Sequence, residues 1–207
     1  MTVPLPPLPP IPGEDVEHVP PGRSLVDVLD DQLATVTTLV DELRADETPD
    51  ERRRQLADVV VAELSRQVSA ERQYLYPTVR ALLPDGDALA EAGGAEDATL
   101  LRALKDLQGT GVADPEFRGR VDEVADIVHR HAADTAALLA PLREAATDEQ
   151  LIRLGNRVEM VKEAAPTRPH PAAPAARPWN AVVDPALGVV DKTRDLLTRR
   201  TTYAEDL

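Results

Sequence analysis

Two short stretches of the chain carry the residue types that could do chemistry. Gln67 and Glu71 lie one helical turn apart, and His131 and Thr135 repeat that spacing further along the chain. Each pair is followed, at the same interval, by a proline. On a helix this spacing puts both side chains on one face, with a kink below them. Such a layout can hold a metal ion inside a helical bundle.

The repeat extends to the segments that precede these two stretches. The interval between Gln67 and His131 also separates Leu33 from Asp97. A repeat at a fixed interval indicates a duplicated structural unit. Two pairs of helices therefore share one pattern.

Apolar spacing and helix-start signals predict the elements that position these residues. Apolar side chains recur at helical intervals along the chain, and Thr48 and Thr147 open capping boxes. Pro49 and Pro115 are expected at first helical positions. The predicted helices run from Ser24 to about Ala45, Thr48 to about Leu83, Asp87 to about Leu107, Asp114 to about Ala145 and Thr147 to about Ala164. Short loops between the first four predict antiparallel neighbours, hence an up-down four-helix bundle with additional C-terminal helices.

Proline-rich stretches predict the domain boundaries, because proline removes a backbone donor and interrupts helices. The predicted divisions are a Pro-rich leader (1–22), a helical bundle (23–165), a Pro-rich linker (166–183) and a C-terminal helix with a tail (184–207). The last helix, from Asp184 to about Arg200, carries Leu187, Val190 and Leu197 on one side. It could bind a protein partner or fold back onto the bundle, and the sequence leaves both open.

Composition excludes several classes of function. The net charge of −14 at pH 7 would repel nucleic acid, and the apolar runs are too short to span a bilayer. The absence of cysteine removes disulfides, thiolate nucleophiles and iron-sulfur clusters. Aromatic residues make up 2% of the chain, so the core must consist of Ala, Leu and Val, which favours an all-α fold. We expect a cytoplasmic protein without enzymatic activity, since no phosphate loop or nucleophile elbow is present.

The two metal-binding stretches resemble the bacterial hemerythrin-like family, also called the HHE cation-binding domain, in its actinobacterial form. The stretch from Leu64 to Pro77 is similar to the family's His-x-x-x-Glu helix, which ends in an aromatic residue and a proline. The stretch from His131 to Glu144 is similar to the second copy of that helix. The resemblance implies a four-helix bundle in which histidine and carboxylate side chains converge on two irons.

The resemblance also implies ligand positions, which this chain fills poorly. In chain order the family's six ligand positions fall on Leu33, Gln67, Glu71, Asp97, His131 and Thr135. Only Glu71 and His131 have the expected residue type. The resemblance therefore implies a degenerate metal site.

The number of histidines supports this interpretation without any alignment. The chain has four histidines, of which His18 and His170 lie in the predicted leader and linker. His129 and His131 are two positions apart on one helix, so at most one of them can face inward. A complete di-iron site is not expected.

Two functions remain open on the sequence alone. The first is a structural, regulatory or interaction module without a cofactor, in which Gln67, Glu71 and His131 hydrogen-bond one another in the interior. The second is an altered mononuclear site, in which Glu71, His131, Asp97 and Gln67 hold a single iron or other divalent metal for redox or gas sensing. Metal content distinguishes the two.

Overall fold

Helices form all the regular structure in the described part of the chain. The computed structural model describes residues 20–172, 179–198 and 200–207, and of 179–186 it describes the helical backbone alone. The helices are α1 (Leu25–Arg44), α2 (Asp50–Ala70), α3 (Tyr76–Leu82), α4 (Gly86–Gly109), α5 (Phe117–Ala145), α6 (Asp148–Ala164) and α7 (Trp179–Thr198). The predicted all-α fold is confirmed. Almost all of the predicted Pro-rich leader lies outside the described residues.

The bundle consists of α1, the α2–α3 pair, α4 and α5, with α6 packed along its side. A π-helical turn, Glu71–Leu75, joins α2 to α3. The helix α1 packs against α2, α5 and α6, while α4 packs against α3 and α5. None of the described helices is long and apolar enough to cross a membrane.

Two apolar clusters fill the interior and meet in the middle of the bundle. One cluster consists of residues from the C-terminal halves of α1 and α4 and from the N-terminal halves of α2 and α5. The other cluster consists of residues from the opposite halves of these helices, from α3 and from part of α6. Between them lies a polar layer of buried side chains, namely Gln67, Glu71, Asp97, His131 and Thr135. Burial of apolar surface on both sides fixes this layer in place.

Helix starts agree with the sequence at two positions and differ at others. Ser24 and Thr147 cap α1 and α6 as predicted, and Thr147 forms the complete capping box with Gln150. The prediction for Thr48 is wrong. Its hydroxyl donates to the carbonyl of Glu42 at 2.7 Å, so it ties the α1–α2 loop instead of capping α2. Pro49 consequently precedes the helix and does not occupy its first turn.

The predicted boundaries of α4 and α5 also need correction. The helix α4 begins at Gly86, one residue before the predicted Asp87, and ends at Gly109, beyond the predicted end at about Leu107. The helix α5 begins at Phe117, later than Asp114-Pro115, because the carboxylate of Asp114 accepts a hydrogen bond from the backbone of Glu116 in a preceding turn. Side-chain to backbone bonds of this kind compete with helix formation.

The C-terminal helix folds back onto the chain with an unexpected face inward. It starts at Trp179, before the predicted Asp184. Among its described side chains, Asp191 and Asp195 are buried, whereas Val190 and Leu197 are 53% and 80% exposed. Two of the three apolar residues that the sequence places on one side therefore face outward, and the third, Leu187, is partly buried.

Ion pairs from outside the helix explain this orientation. Arg168 donates to Asp195 at 2.6 Å, and Arg200 donates to the same carboxylate at 3.3 Å. His170 lies 2.9 Å from Asp191. A protein tolerates a buried carboxylate where several hydrogen-bond donors surround it, and these residues surround the two carboxylates of α7.

Candidate metal centre

The π-helical turn Glu71–Leu75 positions the first candidate ligands. It directly precedes Pro77, which lacks a backbone N–H and crowds the preceding turn, so a wider turn relieves the strain. Gln67 and Glu71 share one face at this point, and the Gln67 amide donates to Glu71 Oε1 at 2.9 Å. This bond orients the Glu71 carboxylate towards α4 and α5.

Three side chains from three helical segments converge in the polar layer. Glu71, Asp97 and His131 each offer one ligand atom, and these atoms all lie within 4.8 Å of one another. His131 Nε2 is 3.2 Å from Glu71 Oε2. Donor atoms around one first-row cation, at about 2.0–2.2 Å from it, lie roughly 3–4 Å apart. The group is therefore close to the dimensions of a single-ion site.

Three buried atoms of this layer lack a hydrogen bond in the described part of the chain. They are Gln67 Oε1, Glu71 Oε2 and His131 Nε2. The contact between the last two is short, but its angles are poor for a hydrogen bond, so we regard it as an ion pair. Unsatisfied buried acceptors are costly, and a bound cation would satisfy them.

Asp97 already has two donors in this structure. Arg72 Nε donates to Oδ2 at 3.0 Å, and the Tyr76 hydroxyl donates to Oδ1 at 2.9 Å. Neither partner was expected from the sequence as a member of the site. Arg72 thus brings a resident positive charge into contact with one of the candidate ligands.

Charges in and around the layer cancel. The three acidic groups are Glu71, Asp97 and Glu96, and the three basic groups are Arg72, Arg130 and protonated His131. Arg130 pairs with Glu96 at 3.0 Å nearer the surface. Without an ion, the group is neutral when His131 carries a proton.

Burial and neighbouring charges shift the pKa values of three groups of the site away from their ordinary values. Burial lowers the pKa of His131, but the negative charges of Glu71, Asp97 and Glu96 outweigh it and raise this pKa to about 9. Burial, with the charge of Glu71, raises the pKa of Asp97 despite the Arg72 guanidinium. The same burial raises the pKa of the Tyr76 hydroxyl.

The metal-free protein is expected to lose stability at alkaline pH because of His131. The folded chain holds the imidazolium proton more tightly than the unfolded chain, whose histidine pKa is about 6.5. The resulting contribution is complete below pH 6.5 and disappears as the pH rises to about 9, a loss on the order of 3 kcal/mol. Urea unfolding of chelator-treated protein across this range measures it. His131→Gln should remove most of this dependence, and an equally steep curve for that variant would contradict the assignment.

The other positions aligned with ligands by resemblance carry no carboxylate or imidazole. Leu33 is buried in an apolar cluster, and Thr135 offers only a hydroxyl. His129 is 43% exposed and lies 2.9 Å from Asp41, away from the polar layer. Of the pair His129 and His131, one faces inward, as predicted. The group that the described residues gather has the dimensions of a single-ion site.

Gly93 permits the close approach of Tyr76 to α4. A Cβ at Gly93 would lie 2.6 Å from Tyr76 Cε1, whereas a Cβ at Gly94 would meet nothing within 4 Å. Gly93→Ala is expected to displace the ring from Asp97 and to lower the free energy of unfolding by about 1–3 kcal/mol. Gly94→Ala should instead raise it by about 0.5–1 kcal/mol, since alanine favours the helix. Equal effects in urea unfolding would contradict this role of Gly93.

The architecture and the polar layer define an all-helical bundle with a buried carboxylate and imidazole group. The chain belongs to the hemerythrin HHE cation-binding domain family, whose sequence model matches residues 24–143. This match covers α1 to most of α5, and so contains every residue of the polar layer.

Individual proteins are similar to parts of this chain. An uncharacterised hemerythrin-like protein of Schizosaccharomyces pombe is 25% identical over 141 residues, which cover 67% of this chain and 70% of that protein. A protein of Nostoc named DNA nickase is 30% identical over 92 residues, which cover 44% of this chain and 26% of that protein. The crystal structure of a hemerythrin HHE cation-binding domain protein from Mycobacterium kansasii superposes with a TM-score of 0.58 at 22% identity, covering 68% of this chain and 88% of that one. This last similarity shows the common fold.

Proposed function

We propose that this protein is a non-enzymatic hemerythrin-like module that lacks a complete di-iron site and holds a single divalent cation. Glu71, Asp97 and His131 would be its charged and imidazole ligands, and Gln67 Oε1 a neutral one. The observation that carries the proposal is the convergence of Glu71, Asp97 and His131, whose ligand atoms lie within 4.8 Å of one another. In the same buried layer, Gln67 Oε1, Glu71 Oε2 and His131 Nε2 lack a hydrogen bond within the described residues. The cytoplasmic location expected from the sequence is part of this proposal.

The chemistry of the donors favours a first-row transition metal. One imidazole with two carboxylates and an amide oxygen suits Fe²⁺, Mn²⁺ or Zn²⁺, and no thiolate is present to favour softer ions. Bound iron would supply a one-electron redox centre, which suits redox or gas sensing. The protein's own contribution is to orient Glu71 through Gln67, to neutralise Asp97 through Arg72, and to exclude water by burial.

Metal content of the purified full-length chain tests this proposal directly. After growth with added iron, and after separate reconstitution with Fe²⁺, Mn²⁺ or Zn²⁺, elemental analysis should give about one ion per chain when the ion exceeds its dissociation constant. A visible spectrum should lack the bands of an oxo-bridged iron pair. Less than about a tenth of an equivalent of every ion under saturating conditions would contradict the proposal.

A second candidate is a metal-free interaction module. The contact between Arg72 and Asp97 favours it, because the guanidinium supplies the positive charge that an ion would otherwise bring. The outward apolar residues of α7 would then provide a surface for a protein partner, with Val189 68% exposed and Leu196 80% exposed. This candidate predicts a fully folded protein without metal, so the elemental analysis separates the two.

A further inference from the structure

A pocket of about 520 Å³ opens between α4 and α5 and reaches the candidate metal centre. Its walls are mainly apolar and are formed by Leu89, Ala92, Gly93, Ala137 and Leu138. Its lining also includes three buried polar side chains, those of Tyr76, His131 and Thr135, and three charged ones, those of Glu96, Arg130 and Asp134. The pocket therefore connects the surface with an imidazole of the candidate centre along an apolar path.

Thr135 is one of the buried residues that line this pocket. It lies one helical turn after His131, on the same face of α5. Its short side chain lines the pocket and does not fill it. A small ligand at this point would lie beside the His131 imidazole.

Charge indicates what kind of ligand would bind there. Once a divalent cation is bound and His131 is neutral, Glu71, Asp97 and Arg72 leave one net positive charge in the buried layer. Among the other charged residues of the pocket, Glu96 and Arg130 cancel, and Asp134 is exposed, where water screens its charge. An uncompensated buried charge is costly, so a single monoanion beside the ion would stabilise the loaded site.

We propose that the pocket binds a short-chain monocarboxylate, whose carboxylate lies between Thr135 and the ion and whose hydrocarbon tail lies along Leu89 and Leu138. The apolar walls favour such a ligand over a hydrated inorganic anion, because they offer no replacement for the water that the anion would lose. Pockets of this size commonly hold small molecules. The inference rests on the proposed single-ion function and names a ligand class for the same site.

Cobalt substitution provides a readout that does not depend on any activity. The full-length chain loaded with Co²⁺ is titrated with formate, acetate, propionate and butyrate at constant ionic strength. The d–d absorption of Co²⁺ should change on binding, and the affinity should rise roughly fourfold for each methylene from acetate to butyrate. Butylammonium and inorganic phosphate should leave the spectrum unchanged.

Two variants on one helix turn make the test specific. Thr135→Glu places an internal carboxylate in the lining of the pocket, so it should keep Co²⁺ binding and lose the response to butyrate. Ala136→Glu adds the same charge at the neighbouring exposed position, outside the pocket, and should keep the full response. The chain-length dependence in the unmodified protein provides evidence even where Thr135→Glu fails to fold.

The possible outcomes separate this inference from the function on which it rests. Binding of Co²⁺ without any response to carboxylates overturns the inference and leaves the single-ion function intact. Equal affinity for formate, acetate and butyrate also overturns it, because the apolar walls would then play no part. Failure to bind Co²⁺ at about one equivalent overturns both.

Discussion

Replacing His131 with alanine is expected to lower the affinity of the protein for a divalent first-row cation by at least roughly 100-fold. Among the described residues, His131 is the histidine that faces the polar layer, and it is only 1% exposed. Its removal leaves two carboxylates and an amide, which provide a weak, purely oxygen-based site. Competition with a chromophoric chelator for Zn²⁺ measures the affinity directly.

The neighbouring histidine provides a matched control for this substitution. His129 lies on the same helix, two positions earlier, and contacts Asp41 at the surface. His129→Ala should therefore bind Zn²⁺ as tightly as the unmodified protein. If both variants lost the same affinity for Zn²⁺, or if neither lost any, the ion would bind elsewhere.

Stability must be measured alongside affinity, because His131 also balances the charge of Glu71. Removal of one partner from a buried ion pair can cost about 3–5 kcal/mol. Helical circular dichroism and urea unfolding of His131→Ala distinguish a folded protein with no ion from an unfolded one. His131→Gln, which retains most of the side-chain volume and a polar end, provides a second variant for the same comparison.

The sequence was sufficient to predict the bundle and the residues of its polar layer. The repeat that relates Gln67 to His131 and Leu33 to Asp97 arises because equivalent helix positions face one interior, and all four side chains are buried. Local signals such as the capping box at Thr147 also depend only on neighbouring residues. Patterns of this kind are properties of one helix, so one sequence reveals them.

The charge partners inside the bundle could not be predicted in the same way. Arg72 follows Glu71 directly, and nothing in the sequence indicates that its guanidinium reaches Asp97 on another helix. Tyr76 directly precedes Pro77, and nothing in the sequence indicates that its hydroxyl donates to the same carboxylate. The sequence offers one signal of the position of Tyr76, which is Gly93 opposite its ring. A glycine in a helix can mark a place where a side chain of another helix comes close. Such contacts depend on the relative rotation of helices, which periodicity does not specify.

The orientation of α7 shows a further limit of apolar patterning. The rule that the apolar face is buried assumes that no better partner exists for the polar face. Here Arg168 and Arg200 approach from outside the helix and pair with Asp195. The donors to the buried carboxylate therefore lie outside the helix, so the periodicity of the helix sequence does not reveal them.

The C-terminal segment, residues 200–207, extends this ion-pair network across the bundle. Arg66 of α2 is almost fully buried, its guanidinium lies 4.1 Å from the centre of the Tyr203 ring, and it donates to the carbonyl of Thr202 at 2.7 Å. Arg52 donates to the carbonyl of Leu207 at 2.7 Å. Two arginines of α2 thus each have one acceptor in this segment, in addition to Glu42 for Arg52 and Glu63 for Arg66.

Deleting residues 200–207 is expected to lower the free energy of unfolding by about 3–5 kcal/mol, because Arg66 would keep only Glu63 as an acceptor and would lose its aromatic partner. Urea unfolding followed by circular dichroism measures the loss. Tyr203→Ala should cost about 1–2 kcal/mol, whereas Tyr203→Phe should have little effect, since the ring and not the hydroxyl contacts the guanidinium. Similar losses in the alanine and phenylalanine variants would contradict the stacking, and an unchanged deletion variant would show that Arg66 is satisfied by Glu63 alone.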